Sequence, residues 1–188
     1  TPDDETDQDT VVFSGARGDS TITVNGSTVT ITGPDGTDTV DNVENFIFED
    51  NEGLVVGLED TAISLEVADV VPTDDGVGSI QVTGLPDGAT LSAGVEMSDG
   101  SWFVSSSALE GLTVTGALDS SEDFTLTFET FGTDYASEIA TATEVSGVDV
   151  SDLTALLATI KDDAPIGSGT RDVEVLSVID RFDITVDS

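Results

Sequence analysis

The sequence contains no cysteine and no histidine in its 188 residues. Without these side chains the chain can form no disulfide, no thiol nucleophile, no serine-histidine triad and no zinc or haem site of the usual ligand types. Any metal must therefore be held by oxygen atoms. The absence of cysteine fits a reducing cytoplasm as well as a secreted bacterial surface protein that is stabilised by metal in place of disulfides.

Basic residues are also scarce. Four Lys and Arg stand against 39 Asp and Glu, which gives a formal net charge of −35. Because so few cations offer no patch for phosphate groups, we expect neither nucleic acid nor an anionic membrane surface as a partner. Repulsion among the acidic side chains opposes a compact fold unless cations neutralise part of the charge. Calcium, salt or a crowded extracellular medium would suit such a chain.

Long apolar runs are missing as well. No stretch approaches the roughly eighteen apolar residues of a membrane-spanning helix, so we expect no membrane insertion. The first residues, Thr1-Pro2-Asp3-Asp4, lack the basic and then apolar pattern of a signal peptide. Since the sequence also starts without Met, we expect it to be a piece of a longer protein whose secretion signal is encoded elsewhere.

The apolar content of the chain is that of a folded β protein. Hydrophobic residues make up 37% of the sequence, and they recur in strand-like patterns, which argues against disorder. The acidic residues 1–9 predict a frayed lead-in, and residues 10–53 predict a small antiparallel β module. Asn25-Gly26 lies between two runs rich in Thr, Val and Ile, the strongest short-range signal for a hairpin. The residues that predict a first and a last strand are Val11, Val12, Phe13, Val43, Phe46 and Phe48.

A second module is predicted over residues 58–148, after a short apolar bridge around residues 54–57. About seven short strands separated by Gly, Pro and Asp turns are typical of an immunoglobulin-like or cadherin-like sandwich. The alternation of Phe124, Leu126 and Phe128 indicates its clearest core strand. The predicted strands are residues 62–65, 79–83, 89–92, 102–104, 112–114, 124–130 and 139–143.

The tail, residues 149–188, either completes the second module or begins a third. Apolar residues at helical spacing follow Ser151, a good N-cap, and predict one short helix. These apolar residues are Leu153, Leu156, Leu157 and Ile160. Residues 173–186 carry both helical and strand periodicity. We therefore expect a mainly β chain: a small antiparallel module plus an immunoglobulin-like or cadherin-like β-sandwich, with one short C-terminal helix.

Residues 9–52 carry an ordered set of short motifs that resembles a module common beside RTX (repeats-in-toxin) calcium-binding repeats in secreted bacterial proteins. The glycine-rich nonapeptide repeat itself, G-G-x-G-x-D, is absent, so no β-roll is expected within the chain. The motifs are Asp9-Thr10-Val11-Val12-Phe13-Ser14-Gly15, Ser20-Thr21-Ile22-Thr23-Val24, Gly36-Thr37-Asp38-Thr39-Val40, Asn42-Val43-Glu44 and Phe48-Glu49-Asp50.

Residues 58–148 resemble the cadherin-like repeats of large RTX adhesins. In such repeats the leading acidic pair and the Asp-Gly loop sit near calcium, which rigidifies the joints between modules. The resemblance therefore implies calcium near Glu59-Asp60 and near Asp74-Asp75-Gly76. The motifs that carry it are Leu58-Glu59-Asp60-Thr61-Ala62, Asp74-Asp75-Gly76, Gly84-Leu85-Pro86-Asp87-Gly88, Asp99-Gly100-Ser101-Trp102 and Leu109-Glu110-Gly111-Leu112-Thr113.

Calcium is the cofactor that we predict. It takes six to eight oxygen ligands at about 2.3–2.6 Å, which carboxylates at strand ends and loops can supply. None of the acidic groups has EF-hand spacing, and a solvated acidic surface is the competing interpretation. The candidate ligands are Glu59, Asp60, Asp69, Asp74, Asp75 and Asp99, with Asp119, Glu122 and Asp123 as a further group.

Three other features favour ordinary structural roles. Arg17-Gly18-Asp19 spells a cell-attachment tripeptide, which chance explains better than recognition. Trp102 is expected in the core, where sandwiches commonly bury a Trp. Because the chain has one Trp and one Tyr, a platform of several aromatic rings for carbohydrate is hard to assemble. No acidic pair is marked out as a glycosidase pair, so we expect no enzyme.

These features together predict a non-catalytic, calcium-stabilised spacer or junction module of a secreted bacterial adhesin or RTX-type surface protein. Its location would be extracellular, on the bacterial surface, and its partners would be neighbouring modules of the same chain. One alternative is a ligand-binding module that recognises a carbohydrate, a protein or a cell surface. Another is an accessory domain of a secreted hydrolase.

Overall fold

The computed structural model describes residues 9–34, 36–43, 45–48, 54–71, 76–139 and 164–178. This part of the chain is mainly β, as the sequence predicts, and the predicted tail helix lies outside it. The strands are β1 (Thr10–Phe13), β2 (Thr21–Asn25), β3 (Thr28–Gly33), β4 (Gly36–Asp41), β5 (Asn45–Phe48), β6 (Leu54–Leu58), β7 (Ala62–Ser64), β8 (Ser79–Thr83), β9 (Thr90–Leu91), β10 (Val95–Glu96), β11 (Trp102–Ser105), β12 (Thr113–Thr115), β13 (Phe124–Phe131) and β14 (Gly167–Leu176). Short 3-10 helices cover Arg17–Asp19, Val67–Asp69 and Ser106–Ala108.

A central sheet of eight strands runs through both predicted modules, in the order β1-β5-β6-β14-β13-β8-β11-β10. Two three-stranded sheets accompany it, β7-β12-β9 and β2-β3-β4. We call the second of these the N-terminal sheet. The central sheet is mixed, because β1 pairs with β5 and β6 pairs with β14 in parallel while its other pairs are antiparallel.

One face of the central sheet forms a sandwich with β7-β12-β9. Its strands alternate, so Trp102 and Val104 enter the core of this sandwich while Phe103 faces the other way. Leu126 and Phe128 are fully buried in the same core, as their alternation predicts. Trp102 is 9% exposed and lies in the core, which confirms its predicted packing role.

The opposite face of the central sheet is covered at two places. The N-terminal sheet covers it over β5 and β6, where Val29 and Ile31 pack with Phe46. The predicted hairpin is present: Asn25 ends β2 and pairs with Thr28, so Gly26, with φ of 63°, and Ser27 form the turn. The second cover is a helix that begins at Tyr135 and packs on Phe103.

Strand β6 corrects the prediction of a simple bridge around residues 54–57. Its side chains alternate between two cores: Val55 lies in the sandwich core, whereas Val56 and Leu58 lie in the core under the N-terminal sheet. A strand buried on both faces is apolar throughout instead of alternating with polar residues. That requirement explains the sequence Leu-Val-Val-Gly-Leu, which reads as a linker when it is taken alone.

The structure tests two further predictions, both in the C-terminal part of the chain. The strand predicted over residues 139–143 is wrong at Ile139, which is helical and fully buried; the rest of that range lies outside the described residues. The helix is started by Asp134, whose carboxylate accepts hydrogen bonds from the N–H (3.1 Å) and the hydroxyl (2.7 Å) of Ser137. The ambiguous stretch that begins at Val173 is a strand as far as Leu176.

Candidate junction site

The first described strand of the chain starts, and the last described strand finishes, at the same end of the central sheet. The register places Thr10 opposite Asn45, Asn45 opposite Gly57, and Gly57 opposite Val175. Strand β1 starts at this end, and β14 finishes there with Leu176. We call it the joint end.

Glu59 holds the departing chain at the joint end. Its backbone N–H donates to the carbonyl oxygen of Leu176 (2.9 Å), and its side-chain Oε1 accepts from the N–H of Val178 (2.6 Å). The ladder between β6 and β14 is thereby continued past the strand ends by a side chain. A carboxylate is a strong acceptor for a backbone N–H, so this contact fixes the direction in which the chain leaves.

Asp123 also accepts a hydrogen bond from a backbone N–H, on the other side of β14. The pairing of β13 with β14 ends at Phe124 opposite Val173. Beyond that point Oδ1 of Asp123 accepts from the N–H of Val175 (2.9 Å). Acidic side chains therefore serve as acceptors for backbone donors on both sides of β14, which would otherwise need water.

Asp60 joins two loops at the joint end. Its Oδ1 accepts a hydrogen bond of 2.9 Å from the N–H of Asp119. Both residues have left-handed backbone conformations, with φ of 59° and 55°, which Asp tolerates better than most residues. The contact brings together the β6–β7 turn and the β12–β13 loop. In the sequence, Asp60 and Asp119 belong to two separate groups of acidic residues.

Asp69 lies elsewhere, beside a buried arginine. Arg171 on β14 is 2% exposed and donates to the carbonyl oxygens of Leu65 (3.0 Å) and Glu66. Its Nη2 is 3.9 Å from the Asp69 carboxylate, which is itself largely exposed. Burial lowers the pKa of Arg171, and the nearby carboxylates of Asp69 and Glu66 oppose that shift. An arginine nevertheless keeps its charge at neutral pH, so this is a buried cation that two backbone carbonyls help to hold.

Asp99 closes a turn. Its Oδ1 accepts hydrogen bonds from the N–H (3.2 Å) and the hydroxyl (2.6 Å) of Ser101. Asp74 and Asp75 lie outside the described residues. The four described members of the first group of candidates are thus placed at three separate positions: Glu59 and Asp60 at the joint end, Asp69 beside Arg171, and Asp99 in its own turn. Of the further group, Asp119 and Asp123 make the contacts described above, and Glu122 is exposed.

A calcium cage is not preformed in the described part of the chain. No group of three or more acidic side chains there converges so as to hold a metal ion. Glu59, Asp60 and Asp99 each accept a hydrogen bond from the protein itself. The described residues alone therefore do not supply the six to eight oxygens that a calcium ion takes.

Arg17, the first residue of the Arg-Gly-Asp tripeptide, makes its contacts within the fold. Its guanidinium forms a two-point ion pair with the Glu174 carboxylate on β14, donates to the carbonyl oxygen of Ser20 (2.8 Å) and lies 5.8 Å from the centre of the Phe48 ring. The arginine is therefore turned toward the central sheet. It links the N-terminal sheet side of the molecule to β14.

Sequence reasoning gave no role to Arg17 in the fold and none to Arg171. One signal could have found them: with four basic residues in a chain of net charge −35, each cation is a candidate partner for buried acceptors. The pattern does not say which acceptors, because Glu174 lies 157 residues from Arg17 and Leu65 lies 106 residues from Arg171.

An open cleft of about 570 Å³ lies on the face of the central sheet opposite the sandwich core. Gln81 and Thr83 of β8 and Glu129 of β13 line its floor, and Asp87 and Asp99 stand in loops at its rim. The described residues that line the cleft include carboxylates and no basic side chain. Its volume falls within the range of small-molecule sites.

Comparisons with known protein families and curated proteins do not assign this chain to a family. No family model matches the chain, and no curated protein matches it. In the part of the chain that the structure describes, no helix is long and apolar enough to cross a membrane.

Proposed function

We propose that this chain is a non-catalytic junction module of a secreted bacterial surface protein of the RTX or adhesin type. The observation that carries the proposal is the joint end: the incoming strand β1, the outgoing strand β14 and the acidic residues Glu59, Asp60 and Asp123 occupy one end of one sheet. Side chains that fix the direction of an outgoing chain are what a joint between modules requires. The motif resemblances of both halves support the same class.

Two features of the fold favour a joint over a loose linker. Strand β6 contributes to the cores on both faces of the central sheet, so the two halves share a buried element. Arg17 and Glu174 connect the same halves by an ion pair whose side chains are 19% and 23% exposed. Relative motion of the halves would expose apolar surface and break that pair, so the joint resists bending.

Calcium is part of the proposal as an ion shared with an adjoining module. Acidic side chains gathered where the chain leaves supply negative charge, and a divalent cation would offset some of the repulsion of a chain with net charge −35. Because the described residues hold no complete cage, we expect weak binding, in the range of about 10⁻⁴ to 10⁻³ M that extracellular modules show.

Thermal melts of the 188-residue chain in excess EDTA, in calcium and in magnesium test this proposal. We expect calcium at a few times its Kd to raise the melting temperature by a few degrees, because ligand binding to the native state stabilises it. Magnesium at the same ionic strength should do less, since it demands a tighter octahedral geometry. Equal shifts with both ions would reduce the effect to charge screening, and no shift with either would contradict the calcium part.

Two matched variants locate the effect. Asp60→Asn keeps the oxygen that accepts from Asp119 and tolerates the left-handed backbone, so it removes charge at the joint end without removing the contact. Asp38→Asn removes the same charge from β4, where the residue is exposed. The calcium shift should fall in Asp60→Asn and persist in Asp38→Asn. A shift that falls equally in both would show that position does not matter.

A ligand-binding module is the second candidate, and the cleft beside Glu129 favours it. Carboxylates, an amide and hydroxyls could bind a polyhydroxylated or cationic ligand. A glycan array probed with the wild type and with Gln81→Ala tests this. Binding that the variant loses would favour a recognition role, whereas no binding to any glycan would count against the carbohydrate form of this candidate.

A further inference from the structure

We infer that the folded module is a lateral lobe on its parent chain, and that tension on that chain unzips the module from the joint end. The inference rests on the proposed function in one respect, because it concerns how a junction module carries force. Its geometry is independent of calcium and of any ligand. It follows from the register of four strands.

The start of the first described strand and the end of the last one are close together. Strands β1 and β14 are separated in the sheet by β5 and β6, and Thr10 and Val175 lie in the same row of the register. Three interstrand steps of about 4.8 Å place them roughly 15 Å apart. A module that spans its sandwich from end to end would instead separate them by the length of its strands.

The positions of these two points determine the direction of a pulling force relative to the strands. Pulling on two points turns a molecule until the line between them lies along the force. Here that line crosses β5 and β6, so it runs parallel to the hydrogen bonds between strands. Bonds in this orientation break one after another from the joint end, whereas bonds sheared along the strand direction would break together.

The weakest step on this line is the pairing of β5 with β6. Among the described residues it has two residue pairs in the register, Asn45 with Gly57 and Phe46 with Val56, compared with four between β1 and β5 and five between β6 and β14. Opening at this step would part the N-terminal sheet from the sandwich. The Arg17–Glu174 ion pair spans the same step, because it joins the 3-10 helix after β1 to β14. We therefore assign this pair the role of a latch.

The consequence for the parent chain is extensibility. The folded lobe adds only about the distance between β1 and β14, roughly 15 Å, to the contour of the chain. Once opened, residues 10–178 could extend to on the order of 550 Å. A junction of this kind acts as a length reserve that opens under load, in contrast to a strut that holds two neighbours at a fixed separation.

The first test is a distance measurement that the absence of cysteine makes simple. Spin labels are attached at Thr10→Cys and Ser177→Cys, and in a control pair at Thr10→Cys and Ser168→Cys; all three sites are exposed. We expect about 15 Å for the first pair and roughly 30 Å or more for the control, because Ser168 lies nine residues back along β14. Similar distances in both pairs would overturn the lateral geometry.

The second test pulls single molecules through handles at the same cysteine pairs. Unfolding through residues 10 and 177 should need a lower force than unfolding through residues 10 and 168, and Arg17→Ala should lower it further. Asp19→Asn, an exposed acid in the same 3-10 helix, serves as the control and should leave the force unchanged. An equal or higher force through residues 10 and 177 would overturn unzipping, and an unchanged force in Arg17→Ala would overturn the latch. Because these measurements are made in EDTA, their outcome is separate from that of the calcium melts.

Discussion

The N-terminal sheet and the sandwich differ in how closely they are packed. A Cβ atom added at Gly169 in the sandwich would lie 2.2 Å from the carbonyl oxygen of Val70, and one added at Gly57 would lie 2.5 Å from the Ile63 side chain. At Gly15 and Gly18, beside the N-terminal sheet, the added atom would meet nothing within 4 Å, and at Gly33, within that sheet, it would meet the Ser20 side chain at 3.0 Å and no backbone atom. Strand β4 of that sheet is exposed at every position except a half-buried Val40.

The difference teaches which forces specify each region. The N-terminal sheet is built from neighbours in sequence, β2 with β3 and β3 with β4, and the first of these hairpins turns at Gly26-Ser27, where Gly26 takes a positive φ. The sandwich and central sheet depend on contacts between distant strands, which form only if backbone can approach backbone closely. Substitutions that disturb close approach should therefore be costly in the second region and mild in the first.

The largest effect is expected from Arg171→Ala. It leaves the buried carbonyl oxygen of Leu65 and the partly buried one of Glu66 without this donor, which costs roughly 3 kcal/mol of unfolding free energy when the lost packing is included. Urea denaturation measures the loss. Arg171→Lys is the matched control, and it should recover part of the stability because it keeps a charge and a donor. A loss below about 1 kcal/mol in Arg171→Ala would contradict a structural role for the buried cation.

A pair of glycine substitutions compares the two regions directly. Gly169→Ala should cost about 2–3 kcal/mol, since backbone near Val70 must move to admit the methyl group. Gly15→Ala should stay within about 0.5 kcal/mol of the wild type, because its added atom meets open space. Equal losses of unfolding free energy in the two variants, measured by urea denaturation, would show that the difference in packing does not affect stability.

The ion pair that connects the two regions is expected to contribute less to the unfolding free energy than Arg171 does, and a substitution there should cost less than Gly169→Ala. Arg17→Ala should lower the unfolding free energy by about 1 kcal/mol, since the ion pair with Glu174 is two-pointed but partly exposed. A double-mutant cycle with Glu174→Gln isolates the pair from the ring contact with Phe48 and should give a coupling of similar size. A coupling near zero would remove the ion pair as a link between the N-terminal sheet side and β14.

The smallest effect is expected at the outgoing chain. Glu59→Ala removes the acceptor for the N–H of Val178 and should cost about 1 kcal/mol or less at a half-buried position. Glu59→Gln keeps a carbonyl oxygen in reach and should cost less. Hydrogen exchange at the Val178 amide is the sharper measurement: protection should fall in Glu59→Ala and largely survive in Glu59→Gln. Unchanged protection in both would show that the carboxylate does not hold this amide.

Much of the fold could be predicted from local pattern. The Asn25-Gly26 hairpin, the alternation of β13 and the burial of Trp102 each follow from residues within one strand or turn. The parallel pairs β1–β5 and β6–β14 could not be predicted in this way, because parallel neighbours are joined by long crossovers and leave no turn signal. The same lack of a local signal hid β6, whose burial on both faces makes it look like a linker.

The candidate site was predicted in part. The sequence marked Glu59, Asp60 and Asp123 as acidic residues at strand ends, and the structure places them together at the joint end. It could not tell that they accept hydrogen bonds from backbone donors of this chain, since those donors lie far away in sequence. Asp69 and Asp99 were predicted as ligands on the same ground, as carboxylates at strand ends and loops, and the fold holds them at other places.

The measurement that tests the central claim most directly is equilibrium unfolding in urea followed by two probes. The single Trp102 reports on the sandwich core, and far-UV circular dichroism reports on all strands, including the N-terminal sheet. If β6 and the shared central sheet join the two regions into one unit, both probes must give the same midpoint and slope. A circular dichroism curve with a separate transition outside that of Trp102 would contradict the account, because the N-terminal sheet would then fold independently of the joint.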